Sequence, residues 1–388
     1  MKKLTIGILY IEEQIRPVSV NPGDDIVRDG QRYLLETILG HQNIEWRIFK
    51  IARPGQWFRH LPEWMSNIHP KCIWPLWLFR PLNTCSILEC DYLLNASGPR
   101  LGMGVFYHSL FEPWHLVLRR LLKHTQAPRF INLGFGTNFA KLPSGNNGFY
   151  NSLHRQFCRE HCGPAIVNTC REELALRLLE ECGIPAQFVL CPSVLACHYY
   201  GLKPRSGSNG YIALNLHTAG SRRRAEKQKC DTRWIKQVGQ FLAHLTANSL
   251  PWKFIFHEPM ELELARKYFP VSIEDNYILP SSVKEYLEAY KNASVALTSR
   301  AHGAYAAASF GVPSACVGSD SRMQMIKALE LPSLSWKSAS SRDLIKTTDF
   351  LINNRNTIRK RLLRETDKAE SQYHQILKSV LPSGGTAE

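Results

Sequence analysis

The sequence predicts an α/β protein with two Rossmann-like, doubly wound domains that face each other across a cleft. Apolar runs typical of buried strands alternate with helical patterns through both halves of the chain. The 388 residues are enough for two cores, and a polar, turn-rich stretch at 203–210 separates the halves. We therefore predict an N-terminal domain over 1–202, a linker over 203–210, a C-terminal domain over 211–378 and a flexible tail over 379–388.

The composition is ordinary for a globular protein, but the net charge is strongly positive. Charged residues make up 21% of the chain and hydrophobic residues 44%, and the formal net charge is +15. This charge favours anionic substrates or an anionic membrane surface as partners. We expect no nucleic acid partner, because the chain lacks an RNA-recognition signature and zinc-finger spacing.

The amino-terminal apolar run is interpreted as the first core strand. Glu12 and Glu13 interrupt it, and no small-residue cleavage site of the kind found in signal peptides follows. The longest uncharged run, at 301–319, is too weakly hydrophobic to span a bilayer. We expect a cytoplasmic protein, with peripheral contact at the inner face of the cell membrane as a further option.

The cysteines predict neither disulfides nor a metal site. There are 11 of them, without a C-x-x-C pair. Cys158, His161 and Cys162 form a cluster, but no second ligand pair follows at a zinc-like distance. We expect reduced cysteines in a cytosolic protein, no metal and no cofactor.

In the N-terminal domain the predicted elements alternate between strands and helices. Strands are predicted over 4–10, 91–95, 130–133 and 165–168, and helices from Asp24 to about 39, over 112–124, and from Thr169 to about 182. Thr169 and Glu172 have the spacing of a capping box. Asp24 is expected to cap its helix, and the alternative is a position at the cleft.

An aromatic and basic segment covers 51–84. Its prolines argue against one long helix, and its tryptophans and arginines suit a sugar face or a membrane interface as well as a small satellite core. We predict the satellite core. The basic stretch at 217–229 is predicted to be a solvated loop, with phosphate or lipid-headgroup contact as the alternative.

The C-terminal domain is organised around a strand–turn–helix–strand unit at 294–317. The other predicted strands are 211–216 and 253–256, and the other helices are 234–245, 262–268, 283–290 and one or two over 342–378. Within the unit, a strand over 294–298 is followed by a tight turn and a helix of small residues over 303–310. Such turns lie at the carboxyl ends of parallel strands, where open α/β sheets bind ligands.

Arginines follow predicted strands at three places. Arg300 and Arg171 are placed in first helical turns, where the helix dipole disfavours a cation by about 0.3–1 kcal/mol, and Arg322 occupies a third such position. An anion between the arginine and the helix would explain Arg300, and so would a nearby carboxylate. For Arg171 the residue at i+4, Ala175, offers no carboxylate. His302 adds a group that exchanges a proton near neutral pH.

Several of these motifs together resemble the polysaccharide pyruvyl transferase family. They are T-S-R-A-H-G at 298–303, A-A-A-S-F-G-V-P-S-A at 306–315, the 320–332 segment, T-C-R-E-E-L-A at 169–175, C-P-S-V-L at 191–195 and N-P-G-D-D at 21–25. The family often has Arg-Asp where this chain has Arg171-Glu172, and an aspartate where it has Ser193.

The resemblance implies a fold similar to GT-B glycosyltransferases and transfer of pyruvate from phosphoenolpyruvate to sugar hydroxyls, usually as a ketal, in surface or exopolysaccharide biosynthesis. The acceptor would be a glycan or a lipid-linked saccharide. Arg171, Arg300 and His302 match positions of the family's motifs, Arg322 lies where the family often has a basic residue, and Asp24 lies in the amino-terminal Gly-Asp loop. We predict that Arg171 and Arg300 hold the donor and that His302 transfers the proton. Arg322 and Asp24 are predicted as further substrate-binding residues. Arginine forks suit the carboxylate and phosphate of this donor. Alternatives are a nucleotide-sugar glycosyltransferase of the same architecture and a non-catalytic protein that binds anionic glycans.

Overall fold

Two six-stranded parallel sheets organise the chain in the computed structural model. The structure describes residues 3–12, 22–52, 87–95, 125–137, 152–204, 210–216 and 231–382. We call the part built on the first sheet the N-terminal lobe and the part built on the second sheet the C-terminal lobe. The prediction of two doubly wound α/β units is confirmed.

The N-terminal lobe contains strands β1 to β6 in the spatial order β2-β1-β3-β4-β5-β6. Each neighbouring pair is parallel, and β1 and β2 pair along nine residues. The strands are β1 Leu4–Glu12, β2 Ile44–Ala52, β3 Tyr92–Asn95, β4 Arg129–Phe135, β5 Ala165–Cys170 and β6 Gln187–Phe188.

The C-terminal lobe contains strands β7 to β12 in the order β12-β11-β10-β7-β8-β9, again all parallel. This is the strand order of the Rossmann fold, with its switch point between β7 and β10. The strands are β7 Tyr211–Asn215, β8 Trp252–Ile255, β9 Tyr277–Ile278, β10 Ala293–Thr298, β11 Ser314–Gly318 and β12 Ser333–Ser335. Ligands of such sheets bind at the carboxyl ends of strands beside the switch point.

Helices connect the strands in both lobes. They are α1 Pro22–Leu39, α2 Ser152–His161, α3 Glu173–Glu181, α4 Ala196–Tyr199, α5 Thr232–Ala247, α6 Pro259–Tyr268, α7 Pro270–Ile273, α8 Val283–Lys291, α9 Ala301–Ala308, α10 Met323–Ala328, α11 Ser341–Asn353 and α12 Arg355–Lys378. Within the described ranges, no helix combines the length and the apolar character that crossing a bilayer requires.

The central unit at 294–317 folds as predicted, with small shifts at its ends. Strand β10 is buried along most of its length, and α9 begins two residues earlier than the sequence predicted. The small residues of α9 let this helix lie against β10. A Cβ atom added at Gly303 would lie 2.5 Å from Thr298 Oγ1 and 2.7 Å from Tyr290 OH. Any side chain at this position would therefore force Thr298 or Tyr290 to shift.

Two details of helix starts differ from the sequence predictions. Asp24 lies in the first turn of α1, because that helix already begins at Pro22. The capping box of Thr169 and Glu172 is wrong: Glu172 is the N-cap residue of α3 and makes no side-chain capping bond. The Thr169 hydroxyl instead accepts a hydrogen bond of 2.8 Å from the backbone N–H of Gly134, which joins β4 to β5.

The last helix, α12, connects the two lobes. Its Tyr373 hydroxyl is buried and donates a hydrogen bond of 2.8 Å to the carbonyl oxygen of Leu190. The Tyr33 hydroxyl of α1 donates to Glu370 Oε1 of α12 at 2.6 Å. The predicted domain division at 203–210 stays a prediction. The structure shows that α12, which follows the second sheet in the sequence, packs back against the N-terminal lobe.

Candidate functional site

The candidate site lies where carboxyl ends of strands from the two lobes meet. Strand β5 ends at Cys170, and Arg171 and Glu172 come next, before α3. In the other lobe β10 ends at Thr298, Arg300 is the N-cap residue of α9, and His302 lies in the first turn. The predicted placement of both arginines in first helical turns is therefore wrong by one or two residues. They still lie next to positive helix ends.

Arg171 and His302 are in contact across the lobe boundary. The Nη1 atom of Arg171 lies 3.1 Å from the Nε2 atom of His302, although 131 positions separate them in sequence. Arg171 is only 2% exposed, and its Nη1 atom also lies 3.8 Å from the Cys191 sulfur. Its Nε–H has no hydrogen-bond partner, and Arg171 forms no salt bridge among the described residues. A buried guanidinium that lacks a carboxylate is the feature expected of an anion site.

His302 is neutral in this arrangement. Desolvation holds the pKa of His302 well below its ordinary value, and the positive charges of Arg171, Arg322 and Arg300 lower it further. A guanidinium only donates hydrogen bonds, so Nε2 of His302 accepts the bond from Arg171. The proton of the neutral ring therefore resides on Nδ1. An anion that entered the site would offset these positive charges and so raise the pKa of His302.

Arg300 has carboxylate partners. Of the two explanations for its position, a bound anion or a nearby carboxylate, the structure shows the carboxylate. Its guanidinium forms a salt bridge with Glu261 of α6, and Glu258 lies 3.8 Å away. Glu261 also accepts a bond of 2.7 Å from the backbone N–H of His257. The segment that follows β8 thus holds Arg300 in place. The charge of Arg300 still reaches His302, but the guanidinium is engaged, in contrast to that of Arg171.

Arg322 is also paired with a carboxylate. It is the N-cap residue of α10, and its Nε and Nη2 atoms bind the two oxygens of Asp320 at 3.0 and 2.6 Å. Desolvation acts in the opposite direction, but the charges of Asp320 and, more weakly, Asp24 raise the pKa of Arg322. Asp24 belongs to the N-terminal lobe, so its charge acts on Arg322 across the lobe boundary. The cleft position of Asp24 stays a prediction.

Glu172 is a residue of the site that the sequence analysis did not select. Its side chain is fully buried, Oε1 accepts the backbone N–H of Thr137, and Oε2 has no hydrogen-bond partner in the described part of the chain. Burial raises the pKa of Glu172 to about 7, although the hydrogen bond from Thr137 and the charge of Arg171 act against the rise. Asp320 adds to the rise. The signal in the sequence was its position directly after Arg171 at a strand end.

A second contact between the lobes lies beside Glu172. The Thr137 hydroxyl follows β4 and donates a hydrogen bond of 2.9 Å to the Ser321 hydroxyl, which follows β11. Both side chains are fully buried. The strand ends of β4 and β5 in one lobe thus face those of β10 and β11 in the other.

Several sequence predictions lie wholly or largely outside the described residues. These are the aromatic and basic segment beyond residue 52, the helix at 112–124 and the basic loop at 217–229. Within the described residues the cysteines form no disulfide, and no group of three or more His, Cys, Asp and Glu side chains is arranged to hold a metal ion.

Comparison with solved structures gives the fold. UDP-GlcNAc 2-epimerase from Neisseria meningitidis bound to UDP-GlcNAc is 12% identical, with a TM-score of 0.55, over 97% of this chain and 100% of that chain. The S. aureus MnaA–UDP co-structure is 13% identical, with a TM-score of 0.51, over 98% of this chain and 94% of that chain. These similarities show a GT-B fold.

Comparison of sequences gives the family. No curated protein sequence matches the chain. The profile of the family described as polysaccharide pyruvyl transferase matches residues 21–321, which include the strand ends at Arg171, Arg300 and His302. The chain therefore belongs to the polysaccharide pyruvyl transferase family.

Proposed function

We propose that this protein transfers the pyruvyl group of phosphoenolpyruvate to sugar hydroxyls, forming a ketal, in the biosynthesis of a surface polysaccharide. The observation that supports this proposal most directly is the contact between Arg171 and His302. It combines a buried cation that lacks a carboxylate partner with a neutral imidazole at the meeting point of the two lobes.

Arg171 is the main donor-binding residue in this proposal. Phosphoenolpyruvate carries a carboxylate and a phosphate, and a guanidinium binds either group through two parallel N–H bonds. The Nε–H of Arg171 has no hydrogen-bond partner among the described residues, so it can serve as one of these two donors. Arg322 and Arg300 supply positive potential, and Arg300 binds the donor directly only when it separates from Glu261. Asp24, near Arg322, is assigned to the acceptor side of the cleft.

His302 is the proton-transferring residue. The negative charge of the donor raises the pKa of His302 and so favours the imidazolium. The imidazolium gives its proton to the methylene carbon of the enol, and C2 becomes electrophilic. A sugar hydroxyl adds to C2 and returns a proton to the imidazole. A second hydroxyl of the same sugar then displaces the phosphate: its oxygen bonds to C2, the C2–O bond to phosphate breaks, and the hydroxyl proton passes to the departing phosphate, which leaves as inorganic phosphate.

The acceptor in this proposal is a glycan or a lipid-linked saccharide. The net charge of +15 suits an anionic membrane surface, where a lipid-linked acceptor would be presented. We assign the reaction to the cytoplasmic side of the membrane, with the protein bound peripherally.

Incubation with phosphoenolpyruvate and a panel of acceptor saccharides, with inorganic phosphate as the readout, tests the proposal. We expect acceptor-dependent phosphate release that His302→Gln lowers by at least about 10²-fold, the scale of a lost general acid–base group. His41→Gln, which changes an exposed histidine, is the matched control and should leave the rate unchanged. Release of a nucleoside diphosphate from a nucleotide sugar would instead identify a glycosyltransferase. Glycan binding that survives His302→Gln, without phosphate release in the wild type, would identify a binding protein.

A further inference from the structure

Glu172 occupies an unusual position between the two contacts that join the lobes. Its backbone neighbour Arg171 reaches His302, and its own Oε1 atom accepts the N–H of Thr137, whose hydroxyl reaches Ser321. The carboxyl group is fully buried, and none of the residues that the structure describes bonds to Oε2. A buried carboxylate normally has every oxygen bonded, so this one is poorly suited to a permanent negative charge.

Glu172 interacts electrostatically with titratable groups from three elements. Arg171 and the Cys170 thiol belong to its own strand end, Asp320 follows β11, and the Tyr305 hydroxyl belongs to α9. Arg171 favours the ionised carboxylate, and Asp320 and burial favour the protonated form. The balance leaves both forms of Glu172 populated near neutral pH.

The other carboxylates of the site are already committed to arginines. Asp320 binds Arg322 through two bonds, and Glu261 binds Arg300. Glu172 differs from these carboxylates. Among the described residues of the site it has an unbonded oxygen and no salt bridge, and it directly follows Arg171, where an anion would bind. An ionised Glu172 would repel the anion at short range, and a protonated one would not.

We propose that Glu172 is a positioning residue that takes up a proton when the donor anion binds between Arg171 and His302. The proton comes from the solvent, joins a carboxylate oxygen of Glu172 and returns to the solvent when the anion leaves. Protonation removes the negative charge that would repel an anion bound to Arg171, while Oε1 keeps the bond from Thr137. The identity of the anion rests on the proposed function, but the proton uptake requires only that an anion binds there.

Calorimetric titration tests this inference, because the buffer supplies the proton. Binding of phosphoenolpyruvate is measured at about pH 7.5 in buffers with different ionisation enthalpies, and the slope of the heat against that enthalpy counts the protons taken up. With a pKa of about 7, roughly three quarters of Glu172 is ionised at this pH, so up to about 0.75 of a proton is expected from it. His302 contributes separately.

Glu172→Gln should lower the uptake by this amount, because glutamine keeps the acceptor for the Thr137 N–H and cannot titrate. Glu173→Gln removes the neighbouring exposed carboxylate, which pairs with Arg177, and should leave the uptake unchanged. His302→Gln should leave the Glu172 share in place. The inference is overturned when Glu172→Gln takes up as many protons as the wild type, or when His302→Gln abolishes the whole uptake.

Sulfate separates this inference from the proposed function, because sulfate is a dianion at every pH used. Sulfate-dependent proton uptake that Glu172→Gln removes, without any heat from phosphoenolpyruvate, would reject the proposed donor and keep the role of Glu172. Equal uptake with sulfate in the wild type and Glu172→Gln would reject the role of Glu172, whatever the donor. Absence of heat with both anions would reject both.

Discussion

The Nη1 atom of Arg171 lies 3.1 Å from the Nε2 atom of His302, and each residue belongs to a different lobe. Because a guanidinium cannot accept a hydrogen bond, this contact requires the lone pair of a neutral imidazole. Protonation of His302 would place a positive charge against Arg171. The contact therefore requires a neutral His302, and an anion that raised the pKa of His302 would weaken the contact between the lobes.

Arg171→Lys should weaken phosphoenolpyruvate binding by at least about tenfold, with a larger loss for Arg171→Gln. Lysine keeps the charge but loses the planar pair of donors, and a hydrogen bond to a charged group is worth about 1.5–3 kcal/mol. Calorimetry gives the dissociation constant. Arg177→Lys, on the exposed face of α3, is the control. Unchanged affinity in Arg171→Lys would show that Arg171 does not bind the donor.

Thr137→Val should destabilise the contact between the lobes by about 0.5–1.5 kcal/mol, the net worth of one hydrogen bond. Valine keeps the shape of the side chain and removes the donor to Ser321. Chemical denaturation measures the loss, and a double-mutant cycle with Ser321→Ala isolates the pair. Additive effects of the two substitutions would mean that the hydroxyls do not interact.

Gly303→Ala should destabilise the protein by about 1–3 kcal/mol and impair transfer, because the added methyl group overpacks a filled site. It would lie 2.5 Å from Thr298 Oγ1 and displace α9, which carries His302. Gly239→Ala in α5 is the matched control. Its methyl group would lie 3.7 Å from the Phe269 ring, which is an ordinary van der Waals contact. Because alanine has a higher helix propensity than glycine, this variant should be more stable than the wild type. Thermal unfolding compares the two, and equal stability of both variants would contradict the packing.

Glu172 should make stability fall as pH rises. Its pKa is raised from 4.5 to about 7 by folding, so its favourable contribution is complete below about pH 4.5 and is lost as pH rises through about 7. Glu172→Gln should therefore gain stability relative to the wild type across this window. Denaturant midpoints at several pH values measure the difference, and Glu173→Gln should show no comparable trend. A constant difference between Glu172→Gln and the wild type would mean that Glu172 does not titrate there.

The sequence predicted the secondary structure best where hydrophobic pattern and breaker residues agree. The unit at 294–317 has an apolar strand, small residues and Gly311-Val312-Pro313, and its elements were placed within two residues. Strand β2 was missed. It lies at the sheet edge, carries Glu45 and Arg47 and leaves Ile48 48% exposed, so its pattern lacks the continuous apolar run of a central strand.

The candidate site was predictable in part, because parallel strands place their carboxyl ends at a common edge. That rule brings Arg171 and His302 to facing edges. The pairing of Arg300 with Glu261 depends on how α6 packs beside β10, which requires the strand order of the second sheet. The burial of Glu172 depends on the backbone of Thr137, which comes from another strand.

The anchoring of α12 on the N-terminal lobe limits how the two lobes can separate. The chain passes from one lobe to the other after α4 and returns at α12, where Tyr373 and Glu370 hold it. Two connections between the lobes restrict their relative rotation more than one connection would. We therefore expect the lobes to rotate about a single axis that passes near both connections. Truncation within α12 should then release that constraint, and it also removes core residues such as Tyr373 and Leu377.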